Sequence, residues 1–564
     1  MEINTITIMK TKILILLFPI LLFAQNPAIQ WQKTIGGDDF DHLVEVIDTK
    51  DGGYVTLGYS LSGIAGEKTQ ENWSGFIDFW IVKIDEQGTV MWDKRYGGAE
   101  QDIPVSIKET NGGYYIVGYS DSLAYGDKTE DSQLDPIFTL NMAPAYDFWI
   151  LKIDLLGNVI WDKTTGVANP DTPSSFLITQ DGGLLLAGSS SHANPLDDGP
   201  EGKISISRNP NEINDEIFTK EDYEVVKLSN LGVVEWSQEI KGTESDQLLE
   251  IVTTNDGGYL LVGNSSSPLG LDKTVNGFEI YNEIYQVWEI NDIWLIKINN
   301  QGIIEWQKVI GGNQFEKLIS VKKNNDQTFT LLSKSLSPIS GNKTTPLLNA
   351  TNGDLWSVTI DENGAIINQS SFPLWSNIYM PDKNIILLDS GNYIYFGANA
   401  PTIVGTNYDC QVKIISPSGI VLSELNFGGD NGETIKSMVP TPDGGYIVGA
   451  ISNSNISGDK TEDSRGVDDY WLVKLTPESL ATSTNSKFFF SIFPNPSNGK
   501  ISITGIKGKH QVKITDVLGH VVYNETVTEI ANKQIDISGE SGIYFISIQD
   551  ELGNNSTKKV VLEK

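Results

Sequence analysis

Six acidic residues recur at one position of a repeating pattern. Asp41, Asp102, Asp171, Asp246, Glu316 and Glu433 each follow a turn and open an alternating apolar segment. Carboxylates at equivalent places around a ring of repeats could line a central channel and hold a divalent cation such as calcium. Each could equally accept backbone N–H bonds from its own turn, as Asx residues do. A repeated position is usually a folding device, so the second reading is preferred, with a bound cation as its rival. The same choice applies to the Asp that opens a second recurring segment, at Asp78, Asp147, Asp222, Asp292, Asp354, Asp409 and Asp469.

Other chemistry is scarce. The histidines are His42, His192, His510 and His520, the arginines Arg95, Arg208 and Arg465, and the single cysteine is Cys410. No HExxH, CxxC or GxSxG occurs, which leaves zinc hydrolysis and a serine nucleophile elbow without a motif. Three scattered arginines do not make the carboxylate clamp of a sialidase. A glycosidase pair stays open, because the separation of two acids in space cannot be read along the chain. Aromatic residues do offer a binding surface. Trp73, Phe138, Tyr146, Tyr281, Tyr285 and Trp288 lie in polar loops, where they could stack on sugar rings, anchor a protein partner, or fold back over their own loops.

These side chains are carried by repeats. The plainest copy runs from Asp102 to Gly166 and contains four strand signals, A to D. A and B meet through Asn111-Gly112-Gly113, echoed as Asp51-Gly52-Gly53, Asp181-Gly182-Gly183, Asp256-Gly257-Gly258 and Asp443-Gly444-Gly445. Glycine there supplies the positive φ of a tight hairpin. A long polar loop follows, then strand C, as in Asp147-Phe148-Trp149-Ile150-Leu151-Lys152-Ile153, and a short turn into strand D with Trp161. Strand C occurs seven times and is apolar on both faces, so each sheet needs neighbours on both sides. Radially stacked blades provide them. The loop after B carries Gly66-Glu67-Lys68-Thr69, with echoes ending at Thr129, Thr274, Thr344 and Thr461. Its lysine could pair with an acid of a neighbouring blade or be solvated, and an inter-blade structural role is the preferred reading. Ile29–Lys33 reads as a strand D with no A, B or C before it, and the last repeat stops at strand C, Tyr470–Leu475. Pairing the two closes a ring of seven and hides two edges.

The ends and the charge set the location. Lys10 and Lys12, the apolar run Ile13–Phe23 and Ala24-Gln25 are the parts of a secretory signal, expected over residues 1–25. The run is shorter than the roughly 20 residues of a spanning helix, and no later segment reaches that length, so no transmembrane segment is expected after signal removal. A net charge of −33 repels phosphate backbones and argues against a nucleic-acid partner.

Beyond Leu475 a polar linker, residues 476–487, leads into a different pattern. Phe493-Pro494-Asn495-Pro496 with Gly499, then Asp516-Val517-Leu518-Gly519, Gly542-Ile543-Tyr544 and the basic Lys558-Lys559-Val560-Val561 follow in order. Residues 488–564 resemble the type A sorting domain of the type IX secretion system of Bacteroidetes. That resemblance implies an immunoglobulin-like β-sandwich recognised by the outer-membrane translocon, and so a partner in export. The repeats are also similar to those of secreted Bacteroidetes β-propellers. Their approach to strand D, Ile84–Trp92, is similar to the tryptophan-docking motif of quinoprotein propellers, which implies that Trp92 and its equivalents pack between blades. It is close to a sialidase Asp-box as well, with one residue too many between Asp and Gly. Neither likeness transfers an activity.

The sequence therefore predicts an all-β chain: a signal peptide over 1–25, a seven-bladed β-propeller over 26–475, a linker over 476–487 and a sorting domain over 488–564. It predicts export to the cell surface or medium. The preferred function is a non-enzymatic binding scaffold that presents its loop-rich face to a glycan or protein. A hydrolase with an unrecognised site in the propeller mouth and a structural adhesion component are the alternatives.

Overall fold

A strand apolar on both faces is stable only when covered on both. In the computed structural model this is achieved by seven antiparallel sheets of four principal strands each. The structure describes residues 29–132, 146–166, 170–193, 219–278, 281–282, 287–288, 291–374, 378–379, 384–388, 391–399, 408–416 and 419–476, and 491–562 except 494, 496, 517–519, 538 and 551–554. Residues 1–28, and with them the expected signal, lie outside the described residues, as does nearly all of the linker. The chain divides into two compact units, Gln25–Ser479 and a C-terminal one from Leu480.

In the first blade, strands A to D are Asp41–Asp48, Tyr54–Ser60, Asp78–Ile84 and Val90–Tyr96. Every residue of its strand C is buried. Phe79 and Ile81 close on the second blade together with Trp149 and Leu151, while Trp80 and Val82 close on the seventh with Tyr470 and Leu472. The A strands of successive blades are spatial neighbours, and Asp41–Asp48 lies beside Glu433–Pro440 of the last blade. The ring thus closes on itself. Its seventh sheet takes Ile29–Ile35 as its outer strand, antiparallel to Asp469–Leu475, with Gln32 opposite Val473 and Ile35 opposite Tyr470.

The A–B turns are held from below. Lys83, in strand C, is buried and donates to Asp51 Oδ1 at 2.8 Å and to Thr49 Oγ1 at 2.7 Å. Lys227–Asp181, Lys297–Asp256 and Lys474–Asp443 repeat the bridge. Side-chain hydrogen bonds hold Asp51, Asp181 and Asp443 down at about 2, against the opposing desolvation by burial. Gly52 of the same turn has φ 88°, a conformation that side chains resist.

The C-terminal unit is a second β-core. Its long strand Lys500–Asp516 shifts register between Ile506 and Lys509. The first part pairs with Ser491–Phe493 and the second with Gly542–Asp550, while Val521–Asp536 follows both. Ile503, Val512, Ile514, Val527, Ile546 and Val560 close on one another inside it.

Candidate functional site

The six strand-A acids are fully buried, each at 0% exposure. Gly37 N–H donates to Asp41 Oδ2 at 2.6 Å, and Gly98 N–H to Asp102 Oδ2 at 2.6 Å. Gly312 N–H donates to Glu316 and Gly429 N–H to Glu433, both at 2.9 Å. Ser62 Oγ donates to Asp41 and Ser267 Oγ to Asp246, at 3.0 and 2.7 Å. Asp171 is buried in the same place, its N–H donating to Tyr146 O at 2.6 Å. The carboxylates of Asp41, Asp102, Glu316 and Glu433 thus organise the turns that precede them. Among the described residues no group of three or more His, Cys, Asp or Glu is placed to hold a metal ion.

Each strand-A acid instead meets the Asp that opens strand C of the preceding blade. A Cβ added to Gly97 would sit 2.1 Å from Asp78 Oδ1 and 3.0 Å from Asp102 Oδ2, so both carboxyls press on one glycine. Asp292 and Glu316 flank Gly311 in the same way, and Asp409 and Glu433 flank Gly428. Desolvation pushes Asp78 and Asp292 up to about 7, and Asp41, Asp102 and Asp246 up to about 6. Such values would suit general acids, but these groups are sealed beneath their turns, out of reach of substrate.

The loop lysines depart from the expectation. Lys68, Lys128, Lys273, Lys343 and Lys460 are buried and serve their own blades rather than a neighbour. Lys128 Nζ donates to Ser122 O and Ser132 Oγ, both at 2.8 Å, and Lys460 Nζ to Ser454 O at 2.7 Å. The residue before each lysine is the one that reaches across: Glu67 accepts from Gly36 N–H and Asp459 from Gly428 N–H, both at 3.2 Å. The Thr that follows is tied to strand D. Thr69 N–H and Trp80 Nε1 both donate to Asp93 Oδ2, at 2.9 and 3.2 Å. With its base fixed, the loop exposes an aliphatic tip: Ile64, Leu269, Ile339 and Ile456 are 56–64% exposed at equivalent places. Ser62 Oγ accepts from Asp39 N–H at 2.9 Å, which sets these loops on the same face as the D–A turns.

The candidate aromatics are not brought together. Trp73 is half-buried: it meets Tyr125 of the next blade at 5.4 Å, carries Arg95 over its ring at 4.6 Å, and donates Nε1 to Asp127 at 3.1 Å. Tyr146 packs edge-on against Tyr119 at 5.0 Å. Tyr281 and Trp288 face each other in a two-residue hairpin pairing of which only the backbone is described. Phe138 and Tyr285 lie outside the described residues, as do Trp375 and Ser376, where the sixth repeat departs from the acidic pattern.

A cleft of about 410 Å³ opens between the fifth and sixth blades, and sequence reasoning missed it. In most of the other blades one row across strands B, C and D carries an apolar residue, Lys and Trp: Val55, Lys83 and Trp92 in the first, and Leu260, Lys297 and Trp306 in the fourth, whereas the sixth has Ile394, Ile414 and Ser423. In the fifth, formed by Glu316–Lys323, Phe329–Ser335, Asp354–Ile360 and Ile366–Pro373, the row is Thr330, Thr359 and Asn368. The next row toward the loop face, Leu57, Ile81 and Lys94 in the first blade, is Leu332, Ser357 and Ser370 here. In the second, third and fourth blades tryptophans of this row cover the C–D glycine of a neighbouring blade: a Cβ on Gly232 would lie 2.9 Å from Trp161, and one on Gly302 3.0 Å from Trp236, while Gly157 meets Lys94 and Tyr96. Over Gly419 of the sixth blade the neighbour is Phe372 instead. The signal in the sequence was Asn368 and Ser370, which stand where the first and fourth blades carry Trp and Lys.

No curated protein matches this sequence. Among solved structures, the chain is similar to the Neurospora crassa Pan2 WD40 domain at 10% identity and TM-score 0.36, covering 80% of this chain and 97% of that one. It is similar to a puromycin hydrolase at 9% identity and TM-score 0.38, over 85% and 58%. A protein of unknown function from Bacteroides caccae is similar at 11% identity and TM-score 0.31, over 66% and 93%. These likenesses are too distant to carry any argument about function. Residues 491–563 match the family model described as a secretion system C-terminal sorting domain, within the unit built around Lys500–Asp516. The chain is a seven-bladed β-propeller carrying a type IX sorting domain, the mark of proteins exported to the cell surface or extracellular space.

Proposed function

We propose that the exported propeller is a non-enzymatic binding scaffold that engages a glycan or protein ligand through its B–C loop face. The observation that carries this reading is the set of exposed aliphatic tips, Ile64, Leu269, Ile339 and Ile456, repeated on one face of a rigid ring. Aliphatic side chains at equivalent places on several blades offer a partner the same contact more than once. Variable loops on a fixed scaffold are also where recognition usually resides. On this reading residues 1–25 are the signal that starts export, the segment up to residue 487 links the two units, and the repeated carboxylates are folding devices. The hydrolase alternative lacks support at those carboxylates, which are closed to substrate.

The test is a glycan and protein array probed with the purified chain and with the triple variant Ile64→Asp, Ile339→Asp, Ile456→Asp, with hydrolase assays in parallel. Binding that falls at least tenfold in the variant, at unchanged melting temperature, supports the scaffold. Hydrolysis of an array substrate that survives the substitutions would sink it.

A further inference from the structure

We propose that the cleft between the fifth and sixth blades binds a neutral sugar. It lies near the A–B turns, at Asn324–Asp326 and Gly391, on the side opposite the B–C loops, and is independent of the loop face. Its volume of about 410 Å³ falls in the range of roughly 300–1,000 Å³ that accommodates small ligands.

The cleft exists because one blade breaks its own rule. Five positions that are apolar, basic or aromatic in the first and fourth blades become Thr330, Ser357, Thr359, Asn368 and Ser370, and all five line the opening. A defect in packing would leave apolar walls around a void. Here every change places a small hydrogen-bonding group on the wall. Thr330 and Thr359 share a hydrogen bond at 3.3 Å. Among the described residues the side chains of Ser357, Asn368 and Ser370 make none, and Ser357 is only 7% exposed. Ser370 is half-buried and Asn368 exposed on the cleft wall, so these donors and acceptors are open to a ligand that can both give and take hydrogen bonds.

The lining also selects the class of ligand. Hydroxyls and a carboxamide both donate and accept, as a polyol requires. The charged groups, Lys322 and Asp326, offset each other, and Lys322 Nζ already donates to Leu387 O at 2.9 Å. No excess charge is left to attract an acid or a phosphate. Tyr393 and Leu387 on the sixth blade supply an apolar wall opposite, which suits the C–H face of a pyranose.

The experiment titrates the full chain with glucose, galactose, mannose, N-acetylglucosamine and, as a charged control, glucuronate, read by saturation-transfer NMR and calorimetry. Asn368→Trp introduces the residue that the first and fourth blades carry at this position and refills the cleft. Ser357→Ala with Ser370→Ala removes hydrogen bonds without filling it. We expect at least one neutral sugar to bind, with affinity lowered at least tenfold in both variants and the melting temperature of Asn368→Trp at or above that of the parent. Should Asn368→Trp fail to fold, the serine pair decides alone. Binding of glucuronate only, affinity unchanged in the folded variants, or no binding by any of the neutral sugars overturns the proposal.

Discussion

Trp471 Nε1 donates to Oε1 of Gln32 at 3.0 Å, joining residues 439 positions apart in the chain. The same Gln32 oxygen accepts from Thr461 N–H at 3.2 Å, and its Nε2 donates to Asp459 O at 2.6 Å. One side chain from the first strand thus replaces what Asp93 does within the first blade, holding the strand-C tryptophan and the loop threonine together. Gln32→Ala leaves a buried indole N–H without its acceptor and should cost about 1–3 kcal/mol. Deleting residues 29–35 strips the seventh blade of its outer strand and should lower the melting temperature far more. A deletion that melts like the parent would show that the ring does not depend on this strand.

The paired acids predict an unusual pH dependence. Asp78 and Asp292 titrate near 7 when folded, and Asp41, Asp102 and Asp246 near 6, against ordinary values near 4. The folded chain therefore holds more protons than the unfolded one between those limits, and this contribution to stability is lost as pH rises from about 4 to 7. The melting temperature should rise when the buffer is taken from pH 7 to pH 5. Asp78→Asn should flatten that rise, and a curve equally steep in the variant would count against the assignment.

Below that window the sign reverses. Asp51, Asp181 and Asp443 are held near 2 by their lysines and turn hydroxyls, so their contribution is present above pH 4 and disappears toward pH 2. Stability should peak between about pH 4 and 5 and drop on further acidification. The carboxylates are about half exposed, so each bridge contributes modestly. A double-mutant cycle on Lys474→Met and Asp443→Asn should give a coupling of about 0.5–1 kcal/mol, and a value near zero would remove these bridges from the account.

Export should depend on the C-terminal unit and folding of the propeller should not. The seventh sheet is complete at Leu475, and residues 491–563 carry the sorting match. In a host with a type IX system, a chain ending at Leu475 is expected to accumulate, folded, in the periplasm. Its appearance at the cell surface would separate the sorting match from the sorting role.

What the residue order determined by itself was periodic. Turn glycines, doubly apolar C strands and the misplaced first strand repeat in register, and repetition is visible without coordinates. The blade count and the ring closure follow from it, and the sorting domain was legible because its motifs are short and ordered. Tertiary structure decided everything that depends on which partner a side chain meets. Lys68 and its equivalents could as well have reached outward as inward, since a flexible four-carbon stem fits both; the acceptors that hold Lys128 and Lys460 include Ser122 O and Ser454 O, just past the end of strand B in their own blades. The strand-A acids could have faced a channel, and burial beneath the turn places them against the preceding blade instead. The cleft was encoded by Thr330, Ser357, Thr359, Asn368 and Ser370, which are scattered over 41 positions and align only when strands B, C and D pair. Sequence records each substitution singly. Cross-strand registry is what adds them into one polar wall.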